Sequence, residues 1–227
     1  MKYKEFENIM SVHRMNRYVT ACGGNTKKAM TLYRLNLKLS QEMFTVISCF
    51  EVALRNAIDK HYLTTLGSDW LRHSATAGGI FNNYNCQKTA NGINGQIDEL
   101  GRHYSHRKVV AGLGFGIWRY LFATHQYRQA GNSLLGIFPA KPRSTATTQY
   151  NQTYVFNQLA QTNEIRNRIA HHEPICFQSG LPVKYTIYAR QHYNLILQFF
   201  QWMSIDQSAL LYGLDHINRV CNDIDAL

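Results

Sequence analysis

The sequence is poor in the residues from which metal sites and disulfide frameworks are built. It has only 14 Asp and Glu against 24 Lys and Arg, and no cluster of carboxylates suited to Mg²⁺. Its cysteines are scattered and form no Cys-x-x-Cys pair, so the spacing indicates neither a zinc site nor a disulfide framework, and we expect reduced thiols. The five positions are Cys22, Cys49, Cys86, Cys176 and Cys221. The sequence therefore predicts no metal ion and no cofactor.

Long apolar runs are missing as well. No segment approaches about 18 consecutive apolar residues, and the first seven residues contain no apolar stretch of the signal-peptide type. We expect a soluble, cytoplasmic protein without membrane contact. A Gly-rich phosphate loop followed by a helix is also absent. Gly112, Gly114 and Gly116 alternate, but they lie in an apolar segment that is typical of close helix packing.

Positive charge is what the sequence has in excess. The formal net charge is +10 over 227 residues, of which 45% are hydrophobic, enough for one domain or two small ones. Such a charge attracts polyanions non-specifically. Some of the 14 Tyr and 11 Phe can stack on bases, although most are better explained as core. The composition therefore agrees with a nucleic-acid partner.

Apolar residues recur at helical spacing along most of the chain, which predicts an all-α protein. Ser40 is the expected N-cap of a long helix that runs to about Leu66, and Gly67 is its expected stop. The stretch from 78 to 95 is rich in Gly and Asn and predicts a surface loop or a partly ordered insertion. Shorter helical turns should close the chain. The other predicted helices are 109–125, 147–172 and 184–203.

The segment from Glu164 to Pro174 reads Glu-Ile-Arg-Asn-Arg-Ile-Ala-His-His-Glu-Pro. Its two arginines are permanent cations that can clamp phosphate, and its two histidines can carry a proton near neutral pH. Pro174 disfavours helix at the preceding residue, so the helix should end near His172 with both imidazoles in its last turn. The helix dipole favours protonated imidazole there. Asn167, a poor helix former on the same face as His171, is expected to orient that ring.

Arg and His at this spacing are weak evidence alone, because about two such matches arise by chance in this composition. Here the context adds specificity, since Ile165 to Ile175 resembles the HEPN superfamily motif as it occurs in Abi-like (abortive infection) proteins. Three further landmarks resemble that family and precede this motif in the family's order. Gly112 stands where an acidic residue is expected, and the resemblance fades from Val183. The landmarks are the stretches 29–40, 50–58 and 109–118.

The resemblance implies one Abi-like/HEPN helical domain over 1–227, a bundle with additional helices. Its core signatures would be 29–66, 109–125 and 147–175, followed by a helical tail over 184–227. The family's chemistry implies a metal-independent endoribonuclease of abortive-infection or toxin type. Two motifs usually meet in a dimer, so we expect a homodimer, and an antitoxin or regulatory RNA is a further expected partner.

The residues point to the same reaction. A phosphodiesterase built from imidazole and guanidinium needs an internal nucleophile, which RNA supplies as its 2′-OH. His171 would act as general base or acid, and Arg166 would stabilise charge at phosphorus, with Asn167 as the third catalytic residue. The expected substrate-binding residues are Arg168, His172, Arg55 and Asn56.

Several readings stay open at this point. Arg55 follows Glu51 by four residues, so a surface salt bridge explains it as well as a place in the cleft. The echo between Leu54-Arg-Asn and Ile165-Arg-Asn suggests a duplicated site, but His61 falls about 240° round the helix from Arg55. A non-catalytic RNA-binding module in a phage-defence ribonucleoprotein and a nucleotide-binding partner in a toxin system remain alternative functions.

Overall fold

The computed structural model describes all 227 residues, which form twelve α-helices and three short 3-10 turns. This confirms the all-α prediction, and one isolated antiparallel bridge, between Phe177 and Lys184, is the only extended pairing. No helix combines the length and the apolar character needed to cross a bilayer. The helices are α1 Tyr3–Met10, α2 Val12–Ala21, α3 Thr26–Thr65, α4 Trp70–Ala75, α5 Gln87–Leu100, α6 His106–Gly112, α7 Phe115–Tyr120, α8 Thr124–Gln129, α9 Gln152–Ala170, α10 Ile187–Trp202, α11 Gln207–Leu210 and α12 Ile217–Asp225.

The long helix α3 begins earlier than the sequence predicted. The side-chain oxygen of Asn25 accepts a hydrogen bond from the backbone N–H of Lys28 (3.0 Å), so Asn25 caps the helix and Ser40 lies within it. The prediction of Ser40 as N-cap is therefore wrong. The predicted end is confirmed, because α3 stops at Thr65 and Gly67 follows with a φ of 90°.

The predicted helix over 109–125 is three helices instead of one. Leu113 is extended between α6 and α7, with φ −67° and ψ 129°. Its carbonyl, which a continuous helix would have used, accepts a buried hydrogen bond from Trp118 Nε1 (3.1 Å). The indole compensates for the lost helical bond, so the break carries little penalty.

The Gly- and Asn-rich stretch is a loop only in its first part. Residues 78–83 lie in turns, as predicted, but the residues from Gln87 onward form α5. Ala90 and Ile93 are buried at helical spacing, and a side chain at Gly92 would lie 2.6 Å from Ile117 Cδ1. Tertiary packing has overridden weak helix propensity here.

The helix that carries the motif, α9, is shorter than predicted at both ends. Asn151 caps its start by accepting a hydrogen bond from Tyr154 N–H (3.0 Å), and its last helical residue is Ala170. The predicted helix over 184–203 is confirmed by α10 within three residues at its start and one at its end.

The chain divides into two compact units, and α3, α9 and α10 contribute residues to both. The first comprises 1–48, 164–197 and 207–227, and the second comprises 49–163 and 198–206. The prediction of a single domain over 1–227 stays a prediction. In the first unit, the ring of Tyr18 packs on Tyr33 and Phe177, with centroids 5.0 and 4.9 Å away.

The second unit has an aromatic core and a half-buried polar network around Asp59. Phe50 packs on Phe199 and Phe200, with centroid distances of 5.3 and 5.7 Å. Asp59 Oδ1 accepts from Trp70 Nε1 (2.8 Å) and lies 2.7 Å from Nε2 of His106. Through Asp59 the network links α3, α4 and α6 and so helps to fix their packing.

Candidate functional site

The motif segment ends its helix in a specific turn. Beyond Ala170, the N–H of His172 donates to the carbonyl of Ile169 (3.0 Å), and the N–H of Glu173 donates to the carbonyl of Arg168 (2.8 Å). This is the Schellman pattern, which satisfies carbonyls that the helix end would leave exposed. Both imidazoles therefore lie just past the last helical residue, close to the predicted end.

His172 occupies the left-handed position that this turn requires. Its φ is 57°, a conformation in which glycine is the usual residue and a side chain costs about 1 kcal/mol. Strained backbone of this kind concentrates at functional sites. The side chains of His171 and His172 are both exposed.

The backbone after the motif is held by a buried amide from the first landmark stretch. Asn36 on α3 is 4% exposed, and its Oδ1 accepts a hydrogen bond from the N–H of Ile175 (3.0 Å). Asn36 lies within the landmark stretch 29–40, and the sequence pattern assigned it no role. A buried polar residue in an otherwise apolar helical face was the available signal.

Arg168 is tied into the turn rather than directed only at solvent. Its Nη2 donates to the carbonyl of Pro174 (2.8 Å), and its Nε lies 3.4 Å from a carboxylate oxygen of Glu173. Its guanidinium also stacks on the ring of Tyr188, 4.6 Å from the centroid. These contacts fix the path of the chain beyond α9.

Arg166 and Asn167 are half-buried neighbours on the last turns of α9. Nη1 of Arg166 donates to Oδ1 of Asn167 over 3.4 Å, a long and weak hydrogen bond. The backbone N–H of His171 bonds to the carbonyl of Asn167 (2.9 Å), but their side chains are not hydrogen-bonded to each other. The amide therefore contacts Arg166 and not the imidazole that it was expected to orient.

A basic pocket adjoins the turn, and sequence reasoning missed it. Its volume is about 460 Å³. Arg14 on α2 donates from Nη1 to the carbonyl of His172 (2.9 Å), which fastens α2 to the motif turn. The lining residues are His13, Arg14, Asn16, Arg17, Tyr18, Thr20, His172, Glu173, Pro174, Gly180 and Pro182. A polar face at i, i+4 spacing opposite buried Met15 and Tyr18 was the signal in the sequence.

Arg17 anchors the far wall of the pocket. Its Nη2 donates to the carbonyls of Gln178 (2.9 Å) and Leu181 (2.8 Å), and its guanidinium lies over the ring of Phe177, 4.6 Å from the centroid. The turn after Phe177 is thereby fixed against α2. The pocket is preorganised by hydrogen bonds from its own arginines.

Arg55 and Asn56 lie on the part of α3 that belongs to the second unit. Arg55 donates from Nη1 to the carbonyl of Ala111 (3.2 Å). Asn56 is exposed. The residues expected to bind substrate are thus divided between the two units.

Burial favours the neutral forms of the titratable groups Cys176 and His192 near the motif. Burial raises the pKa of the Cys176 thiol to about 12, so it is not a thiolate nucleophile at neutral pH. Burial also lowers the pKa of His192, whose Nδ1 lies 2.8 Å from the carbonyl of Tyr188. All five cysteines are free thiols. The exposed imidazoles of this region are those of His171 and His172 in the motif and of His13 in the adjoining pocket.

A family profile described as Abi-like protein matches residues 2–176, which include α2, α3 and the whole motif segment. Among curated proteins and solved structures, none matches the chain.

Proposed function

The chain belongs to the Abi-like protein family, and we propose that it is a metal-independent endoribonuclease of abortive-infection type that carries a HEPN-like motif. The observation that carries the proposal is the end of α9. There, an ordered turn exposes His171 and His172 beside the half-buried cations Arg166 and Arg168. Imidazole and guanidinium together suit phosphodiester cleavage.

The reaction is internal displacement at phosphorus. An imidazole takes the proton of the 2′-OH, the 2′ oxygen bonds to phosphorus, and the bond from phosphorus to the 5′ oxygen breaks. A second group returns a proton to that 5′ oxygen. The products are a 2′,3′-cyclic phosphate and a 5′-OH, and DNA is not cleaved because it lacks the nucleophile.

In this proposal His171 carries a proton and Arg166 stabilises the charge that develops on the phosphoryl oxygens. Asn167 acts through its contact with the Arg166 guanidinium. Further substrate contacts come from His172 and from Arg168, which can use only the N–H groups not engaged in the turn. Arg55 and Asn56, on the second unit, complete the proposed set.

Two groups could serve as the second proton carrier, and we favour His171 of a second copy in a homodimer. One motif per chain provides one His171, whereas a twofold dimer places two copies of the same surface together. His172 of the same chain is the competing source. Sedimentation across a concentration series, with cleavage followed in parallel, separates them. Activity that tracks the dimer fraction supports the shared site, and a fully active monomer excludes it.

Cleavage of total cellular RNA by the purified protein in EDTA, with the end groups mapped, tests the chemistry. The proposal expects undiminished cleavage, 2′,3′-cyclic phosphate ends and 5′-OH ends. Strict dependence on Mg²⁺ or Mn²⁺ would contradict it. RNA binding without any cleavage, unchanged by His171→Ala, would favour the non-catalytic RNA-binding module instead.

A further inference from the structure

The pocket between α2 and the motif turn has uncompensated positive charge. Neither Arg14 nor Arg17 forms an ion pair with a carboxylate, and each is half-buried. The only acidic lining residue is Glu173, whose carboxylate lies 3.4 Å from Nε of Arg168. A concave surface with two unpaired guanidinium groups attracts an anion.

The two arginines keep donors for a ligand. A guanidinium has five N–H groups, and the hydrogen bonds to the protein use Nη1 of Arg14 and Nη2 of Arg17. Those bonds also hold both side chains in place, so little side-chain entropy remains to be lost when a ligand binds. Guanidinium groups fixed in this way suit a phosphate, which they can bind through two N–H groups at once.

The rest of the lining matches a nucleotide better than a bare ion. The volume of about 460 Å³ falls within the range of small-molecule sites, roughly 300 to 1,000 Å³. Pro174 and Pro182 supply apolar surface, while the exposed side chains of Asn16 and Thr20 supply an amide and a hydroxyl. Apolar walls with a few polar groups can hold a base and a ribose beside a bound phosphate.

We propose that this pocket binds one nucleotide of an RNA strand, with its phosphate on Arg14 and Arg17 and its base or ribose against Pro174 and Pro182. The inference rests on the proposed ribonuclease function and adds where the strand lies. Arg14 is hydrogen-bonded to the carbonyl of His172. The bound nucleotide is therefore next to the motif turn, and it determines which phosphodiester of the strand reaches His171.

Titration of an uncleavable strand tests the pocket without requiring catalysis. The probe is a fluorescent oligoribonucleotide of about ten nucleotides with 2′-fluoro at every position, which keeps the phosphates and bases but has no 2′ nucleophile. Asn16→Asp places a carboxylate in the pocket at an exposed helical position with no hydrogen bond to lose. Lys38→Gln is the matched control, because Lys38 is exposed, lies outside the pocket and loses the same one unit of charge.

We expect Asn16→Asp to weaken binding about tenfold and Lys38→Gln to weaken it about twofold or less. Arg14→Gln, confirmed as folded by circular dichroism, should weaken it by a similar factor to Asn16→Asp. Equal effects of Asn16→Asp and Lys38→Gln would overturn the proposal, since only overall charge would then matter. Adenosine monophosphate as a second probe should bind far more weakly than the strand. Binding as tight as the strand's would assign the pocket to a free nucleotide and overturn the strand assignment.

The outcomes separate this proposal from the proposed function. Cleavage in EDTA together with pocket-insensitive binding removes the nucleotide site and leaves the ribonuclease intact. Pocket-dependent binding without cleavage removes the ribonuclease and leaves the nucleotide site intact.

Discussion

The same short pattern, a buried aliphatic residue followed by Arg-Asn, occurs at Leu54-Arg55-Asn56 on α3 and at Ile165-Arg166-Asn167 on α9. On α3 the helix continues to Thr65, Arg55 donates to a backbone carbonyl, and the next histidine binds the hydroxyl of Ser133 (2.9 Å). On α9 the helix ends three residues after Asn167, and two exposed histidines follow.

The difference lies downstream of the pattern. Pro174 and the Schellman turn stop α9, so its next histidines leave the helix and face solvent. In α3 no stop occurs until Gly67, and burial lowers the pKa of His61. Similar local sequences therefore differ in the side chains that they expose. The histidines beyond the end of α9 face solvent, whereas the histidine inside α3 is half-buried against its neighbours.

The largest expected effect is on the rate of cleavage, and it distinguishes His171 on the motif turn from His61 on α3. His171→Ala should lower the cleavage rate at saturating RNA by about 10²- to 10⁴-fold, because a proton carrier is lost. Arg166→Ala should lower it by about 10²- to 10³-fold through loss of charge stabilisation. His61→Ala, the matched control, should change the rate by about twofold at most. Near-wild-type cleavage by His171→Ala would erase the distinction between the segments.

A second variant tests what holds the chain beyond the motif. Asn36→Leu removes the acceptor of the buried Ile175 N–H and should lower the free energy of unfolding by about 1 to 3 kcal/mol. Denaturant titration measures it. Asn56→Leu, on the same helix but at an exposed position, should change stability by about 0.5 kcal/mol or less. Equal effects of the two substitutions would mean that the Asn36 hydrogen bond contributes nothing to stability.

Substitution of Arg55 and substitution of Arg166 should affect different steps, RNA binding in the first case and the cleavage rate in the second. Arg55→Ala is expected to weaken RNA binding by about three- to tenfold and to reduce the slope of log affinity against log salt by about one, with the rate at saturation kept. Arg166→Ala should act mainly on that rate. Separate measurement of kcat and KM decides between them, and a loss of kcat in Arg55→Ala would place that residue in the chemistry.

The smallest expected effect concerns the strained turn. His172→Gly relieves the side chain at a φ of 57° and should stabilise the fold by up to about 1 kcal/mol, whereas His172→Ala removes the same imidazole without that relief. Thermal unfolding of both variants gives the difference. A glycine variant no more stable than the alanine variant would show that the left-handed position carries no strain.

Sequence reasoning reached the helical class, the end of α3 and the extent of α10, because periodicity and the stop residue Gly67 mark them directly. It missed the N-cap at Asn25. It also missed the break at Leu113, because that break depends on Trp118 Nε1, which donates to the Leu113 carbonyl within the core. Local patterns do not contain such tertiary compensation.

For the candidate site, sequence reasoning identified the motif residues but not the residues that surround them. Asn36 and Arg14 lie more than a hundred residues from the motif turn that they contact. No local periodicity predicts which distant helix packs against a given turn. The pocket on α2 therefore became visible only in three dimensions.

The account's central claim is that RNA supplies its own nucleophile to the motif at the end of α9. The most direct measurement uses an RNA cleaved at one mapped bond and a second copy with a single 2′-deoxy nucleotide on the 5′ side of that bond. The account predicts that cleavage at the bond disappears in the substituted RNA while binding affinity stays within about twofold. Continued cleavage at the deoxy position would contradict it.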